Sequence, residues 1–216
     1  MQIKKTVYLI RHGESEDNTA PVFQSYDSPL SSNGRSQALK VAKRATELDF
    51  ETLISSPQPR AEQTTQTIAE TTGKAYEISP LFIERVKPTS VGGKSWSDDE
   101  ATKIWRAWEK SLTTPGLKVQ DGEGFDDIVN RADRALAFLE HRPEQSFLVV
   151  SHGHFIRTII ARIILGPDLT GLTLKRFYEL VQIENTAITT LDFSDAFEQG
   201  FLWRLRSLND HAHFAD

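Results

Sequence analysis

No cysteine occurs among the 216 residues. That single absence excludes disulfides, thiolate nucleophiles and Cys-ligated zinc, and it fits a reducing, cytoplasmic setting. Long apolar runs are missing as well. None approaches the roughly 20 residues that a bilayer span requires. The short run after the N-terminal lysines is cut off by Arg11, too early for a signal peptide. Positive charge is in deficit, with 25 Lys and Arg against 30 Asp and Glu, a formal net charge of -5. Such a chain is a poor general binder of nucleic acid or of an anionic membrane. Any anion it binds must meet a local concentration of cations. Internal repeats, low-complexity tracts and linkers are also lacking. The length and the 38% hydrophobic content suit one domain over 1–216, with a modest insertion.

What is present alternates between two periods. Thr6–Ile10, Thr52–Ile54 and Phe147–Val150 are short apolar, β-branched runs of the kind that fill a sheet covered on both faces. Helical spacing is expected over Arg35–Leu48, Gln58–Thr72, Asp98–Leu112 and Glu123–Glu140, and again from Gly153 to about Leu165. Gly73 stops the second of these helices, and Gly166-Pro167 the last. Residues 11–33, with Pro21, Pro29 and Asn33-Gly34, read as one long loop. Residues 79–97 are irregular, and 113–122 form a loop. Tyr178–Ile183, Ala187–Phe193 and Phe201–Leu208 read as late strands. Strands alternating with helices predict an α/β fold with parallel strands at its centre.

Three of the expected strands end in polar residues of related character. The first ends at Arg11-His12-Gly13-Glu14. The second ends at Ser55-Ser56-Pro57 and leads to Arg60 in the first turn of a helix. The third ends at Ser151-His152-Gly153. Ligands bind at the carboxyl ends of strands in open α/β sheets, so the three clusters are expected to meet. Arg11 and Arg60 offer planar forks that match phosphate oxygens. The helix starts after Ser56 and at Gly153 add backbone N–H donors. Gly13 and Gly153 let the backbone approach a ligand. One histidine can act as a nucleophile when neutral, and the other can donate to the phosphoryl group. No Asp/His cluster has credible metal spacing, so the arginines are expected to neutralise charge without a metal or other cofactor. Read singly, each piece has a plainer meaning: a satisfied polar histidine, a solvated helix arginine, a serine cap.

Together these segments resemble a known family. Thr6–Asn18, then Ser56-Pro57-Gln58-Pro59-Arg60-Ala61-Glu62-Gln63-Thr64, then Ser151-His152-Gly153 is similar to the histidine phosphatase superfamily, in its phosphoglycerate-mutase-like branch. Asp27-Ser28-Pro29-Leu30 and Glu184-Asn185-Thr186-Ala187-Ile188 extend the resemblance across nearly the whole chain. It implies a three-layer α/β/α fold with a mostly parallel central sheet and a small lid insertion, here 84–122. It implies that His12 is the nucleophile and forms a phosphohistidine. Arg11, Arg60 and His152 would surround the phosphoryl oxygens, with Asn18 as a further phosphate contact. Gln24 and Ser25 fall where the family often has Gln-Gly and are expected at the substrate; serine at 25 is a departure. Leu81-Phe82-Ile83-Glu84 places Glu84 where the family carries its general acid, which must be protonated when it donates and later serves as base on water.

The reaction expected is hydrolysis of a small phosphorylated substrate. The span from Glu84 to His152 is shorter than in the family's mutases, which also use a C-terminal tail to close the pocket. A phosphoglycerate-type mutase and a phosphate-binding signalling module remain as alternatives, and a metalloenzyme using His12, His152 and Glu84 as a third. Arg85, Lys87 and Lys94 are either holders of a second anionic group or solvated cations. Glu14 is expected to support the loop. His141 is expected at a helix end, and His154 is expected to face away from the ligand side of His152 or to cap locally. His211 and His213 lie in the tail. Trp96, Trp105, Trp108 and Trp203 are expected in core or lid packing.

Overall fold

In the computed structural model, residues 2–195 and 200–215 are described. The elements in chain order are β1 (Ile3–Arg11), α1 (Glu16–Thr19), α2 (Ser32–Ala45), β2 (Thr52–Ser55), α3 (Pro59–Thr72) and β3 (Tyr76–Ile78), followed by α4 (Asp99–Lys110) and α5 (Phe125–His141). The second half contains β4 (Ser146–Ser151), α6 (Gly153–Leu165), α7 (Gly171–Leu180), β5 (Ile188–Asp195) and β6 (Phe201–Asp210). One sheet contains all six strands in the order β3-β2-β4-β1-β5-β6. Its first four strands are mutually parallel, while β5 runs antiparallel to both β1 and β6.

The strand pleat sorts the apolar runs into two cores. Val7 and Leu9 of β1, with Phe147 and Val149 of β4, point to the face covered by α5 and α6. Ile10 of β1, with Leu148 and Val150 of β4, points to the face covered by α2 and α3, where Val41, Ala42, Ala61 and Ile68 meet them. Both faces of a parallel sheet are thereby buried, which is why these strands read as continuous apolar runs rather than alternating ones. The register also fixes the site. Arg11 pairs with Ser151, and Ser55 with Val150, so β1, β2 and β4 end at one level.

Three expectations about the elements are corrected, and one strand went unforeseen. Tyr178–Ile183 is not a strand; Tyr178 lies in α7. Thr170 caps that helix by accepting from the Thr173 backbone N–H, and Leu174 buries itself as an amphipathic helix requires. The run from 178 to 183 is too short for periodicity to separate strand from helix. The three-residue strand β3, at the sheet edge beside β2, gave no such signal at all. The 11–33 loop contains the one-turn helix α1. Asn33-Gly34 is not in that loop but in the first turn of α2, whose cap is Ser31, accepting from the Gly34 N–H at 2.9 Å.

Two glycines make one close approach. A Cβ on Gly13 would stand 2.5 Å from the Gly34 carbonyl oxygen, and one on Gly34 would stand 1.9 Å from the Glu14 carbonyl oxygen. Gly13 therefore admits α2 against the end of β1 and not a ligand, a correction to the sequence reading. Segment 84–122 carries α4. There Val91 and Ala101 form a small core with Phe23, and Trp105 stacks on Phe23.

Candidate active site

His12 follows β1 directly and is buried, 2% exposed. Its Nδ1 lies 2.6 Å from the Gly13 carbonyl oxygen, a contact that only an Nδ1–H can make favourable. The other nitrogen, Nε2, therefore carries the lone pair. Arg60 donates to it from Nε at 3.2 Å. The Asn185 side chain donates to the His12 carbonyl oxygen at 2.9 Å. Burial, with the Arg60 and Arg11 guanidiniums beside it, holds His12 well below the usual histidine range, so the ring is neutral.

His152, the residue before α6, stands with its ring 4.9 Å from that of His12. Its Nε2 is 2.8 Å from the Ser56 hydroxyl. Its Nδ1 is buried and has no hydrogen-bond partner, and Arg11 Nε is in the same condition. Arg11 Nε–H, and His152 Nδ1 in the tautomer that protonates it, are positions that an oxyanion would satisfy. Arg11 is anchored by Nη1 to the Ile183 carbonyl oxygen at 2.7 Å. Arg60 is anchored by Nη1 to the carbonyl oxygens of Ser25 and Tyr26. Burial lowers both arginines, Arg60 to about 10, without removing their charge near neutrality. A Cβ on Gly153 would lie 3.4 Å from Arg11 Nε, so this glycine gives the Arg11 side chain its room.

Glu84 reaches the same place from the segment after β3. Its Oε1 accepts from the backbone N–H groups of Arg85 at 2.9 Å and Phe155 at 3.1 Å, and its Oε2 from that of His154 at 3.3 Å. The carboxylate thus occupies the N-terminus of α6, which the sequence reading had reserved for a ligand. Burial pushes the Glu84 carboxyl up. His154 and the backbone donors outweigh it and hold it well below the usual carboxylate range. Without a bound anion Glu84 is therefore ionised.

Its backbone is held as firmly. Arg131 of α5 donates to the carbonyl oxygens of Leu81, Ile83 and Glu84, while Glu123 takes a bidentate bond from the same guanidinium and accepts from the Val86 N–H.

A cavity of about 320 Å³ brings together Arg11, His12, Asn18, Gln24, Glu84 and Gly153, with His154 and Arg157 also in its wall. Asn18 is exposed at the rim, with its Oδ1 taking the Ser15 N–H at 3.0 Å. Gln24 donates to the Ser15 hydroxyl. Ser25 lies in an adjoining cavity, and both its N–H and its hydroxyl are committed to Asp17 Oδ2, at 2.7 and 2.8 Å. Its backbone N–H is therefore turned away from a substrate. Glu14 does support the loop, accepting from the Ser31 hydroxyl and the Asn33 amide.

Sequence reasoning missed His154, which faces Glu84 with Nδ1 3.5 Å from Oε2, edge-on to Tyr178. The signal was there: residue 154 is two past His152, in the first turn of a helix whose start points at the site. It also missed Asn185, Arg131 and Glu123. Arg85 is not an anion ligand. Its fully buried guanidinium is spent on Glu109, Trp108, Ser111 and Glu123. Lys94 is exposed and outside both cavities. Trp96 is not core packing either, being 57% exposed. His213 packs on Thr186, and burial lowers it to about 4. Among the described residues, no group of three or more His, Cys, Asp or Glu side chains could hold a metal ion. No helix among them is long and apolar enough to cross a membrane.

The buried neutral histidines set a pH dependence of stability. His12, His152 and His213 are all lowered in the folded chain, so below about pH 6.5 the unfolded chain binds protons that the folded one refuses. Stability is expected to fall as pH drops from 6.5 towards 5, by up to about 1.4 kcal/mol per pH unit for each of the fully buried His12 and His152 and by less for the partly exposed His213. Urea unfolding at pH 7.5, 6.0 and 5.0 measures this; equal midpoints at all three would contradict neutral burial.

Fold and site together place the Arg11 and Arg60 guanidiniums beside a buried, neutral imidazole. The chain belongs to the histidine phosphatase superfamily (branch 1), whose family profile matches residues 7–210. Members of this superfamily are phosphatases or mutases, so the chemistry is enzymatic phosphoryl transfer. A relative named "Probable phosphoglycerate mutase GpmB", from Escherichia coli O1:K1 / APEC, is 28% identical over 212 residues, covering 96% of this chain and 94% of its own. Among solved structures, the alpha-ribazole phosphatase from Shigella flexneri superposes with a TM-score of 0.76 at 22% identity, covering 95% of this chain and 96% of its own. A His-to-Ala variant of the phosphoserine phosphatase from Entamoeba histolytica, in complex with phosphoserine, gives 0.72 at 25%, covering 97% and 98%.

Proposed function

We propose that the chain is a metal-independent phosphomonoester hydrolase of the cytoplasm that passes the phosphoryl group of a small substrate through His12. One observation carries the reading: a buried, neutral His12 has its Nδ1 tied to Gly13, and its Nε2 faces Arg60, with His152 and Arg11 alongside. The dianion enters between the two arginines and His152 and exchanges protein contacts for phosphoryl oxygens. Its charge raises the Glu84 carboxyl, which takes up a proton. His12 Nε2 attacks phosphorus and the P–O bond to the leaving group breaks. Glu84 protonates that oxygen to give the alcohol. In the second half, water attacks the phosphohistidine and Glu84 takes its proton. The P–N bond breaks, returning the pair to Nε2 and releasing phosphate. The arginines do the charge neutralisation that a metal supplies elsewhere.

Hydrolysis is preferred over a mutase reaction because water can reach the site. Asn18, Gln182 and Glu184, which help to line the His12 cavity, are exposed, and residues 212–214 after β6 pack beside α2 rather than over it. The names of the alpha-ribazole and phosphoserine phosphatases favour the same reading, while that of GpmB favours the mutase. Segment 84–122 serves as the cap that selects the substrate. The deciding assay follows a panel of phosphomonoesters with chelator present. Free phosphate should appear stoichiometrically with alcohol. Isomerised phosphoglycerate with little free phosphate would make the enzyme a mutase, and phosphoester binding with no turnover would make it a binding module.

A further inference from the structure

A second cavity of about 240 Å³ adjoins the His12 cavity, and the two share Gln24 and Glu84. Arg60, which touches His12, lies in its wall, and so does Lys87. The Lys87 ammonium is partly buried and donates to the Gln24 carbonyl oxygen at 2.7 Å. No carboxylate stands within ion-pair distance of it among the described residues, although acids are near. Asp17 is committed to Ser25, and Glu84 to the start of α6 and to His154.

Burial, with Arg60 adding to it against the pull of Glu84, lowers Lys87 to about 8. A desolvated cation held at a cavity wall with no counter-ion is unfavourable for folding and is retained where a ligand supplies the missing charge. Arg85 also lines this cavity, but its guanidinium is consumed by α4 and the Glu123 segment, so of the two cations that 84–122 brings to the wall Lys87 is the one without a carboxylate partner.

We infer that Lys87 is the specificity-determining residue of this site and that the substrate is a small phosphomonoester bearing a second anionic group, a carboxylate or a second phosphate, which pairs with the Lys87 ammonium. The inference rests on the reading of the His12 cavity as the phosphoryl site. A charge-assisted bond of this kind is worth about 10- to 100-fold in affinity.

The test separates binding from turnover. In a His12→Ala background, calorimetric titration compares alkyl phosphates of two to five carbons whose far end is a hydroxyl, a carboxylate or a second phosphate. At one or more lengths the doubly anionic ester should bind about 10- to 100-fold tighter than the hydroxyl ester, and the gap should close when Lys87→Met is added. Methionine keeps the unbranched stem, and Lys87→Gln serves as a second variant should Lys87→Met lower the melting temperature. The arm that gains, carboxylate or phosphate, identifies the second group. Equal affinities at every length, or a gap that survives both substitutions, overturns the inference. Binding as expected with no phosphate released by the unsubstituted enzyme would instead overturn the hydrolase reading and leave the Lys87 subsite standing.

Discussion

Replacing His12 with alanine is expected to lower kcat/KM for phosphomonoesters by at least about 10⁴-fold, because the reaction then loses its covalent route and not merely a contact. The neighbouring groups cannot take over. His152 has its Nε2 at the Ser56 hydroxyl, and its orientation follows from being the residue before α6. The arginines bind charge but carry no lone pair at working pH. Two measurements are needed. Phosphate release gives the rate, and quenching with ³²P-labelled substrate tests for an acid-labile, base-stable phosphoprotein that His12→Ala should lack. The substitution deletes an uncharged ring; buried Arg60 loses the acceptor at its Nε but keeps the Ser25 and Tyr26 carbonyl oxygens, so the variant should still fold and bind phosphate. Release of phosphate by His12→Ala at the parent rate would remove the residue from the mechanism.

The second large effect is at Glu84, and its size should depend on the leaving group. Glu84→Gln keeps the shape that sits over the N-terminus of α6 but cannot transfer a proton. Alkyl phosphates, whose alkoxide is a poor leaving group, should slow by about 10²- to 10⁴-fold. An aryl phosphate with a good leaving group needs no proton in the first step and should lose far less there. Its second step still needs a base, so a burst of nitrophenolate followed by slow turnover is expected from p-nitrophenyl phosphate. Equal losses on both substrate types, with no burst, would assign Glu84 a structural role. The ionised state of Glu84 in the free site adds a check. Inorganic phosphate binding near pH 7 should be accompanied by proton uptake, read from calorimetry in buffers of different ionisation enthalpy.

The parts legible from sequence were those written in contiguous runs. Thr6–Ile10 and Phe147–Val150 announce buried strands because both faces are covered. Arg11, His12, Arg60 and His152 can be placed together because parallel strands put their carboxyl ends on one edge. The parts that stayed hidden depend on contacts between distant segments. Nothing in Phe125–His141 distinguishes Arg131, which braces Leu81–Glu84, from the exposed Arg134 of the same helix. Ser25 looked like a substitution at a substrate contact, and only the position of Asp17 reveals where its N–H goes. His154 appeared bland because the sequence does not tell which way the first turn of α6 faces. Tyr178 misled because six mixed residues fit either period.

The bond from Asn185 to the His12 carbonyl oxygen joins residues 173 positions apart. The four parallel strands, with their helices, precede residue 185 in sequence, yet the backbone of His12 is not clamped until β5 has laid itself against β1. That clamp thus depends on a stretch of chain that follows the parallel strands in sequence. Activity recovered during refolding is therefore expected no earlier than the docking of β5 on β1.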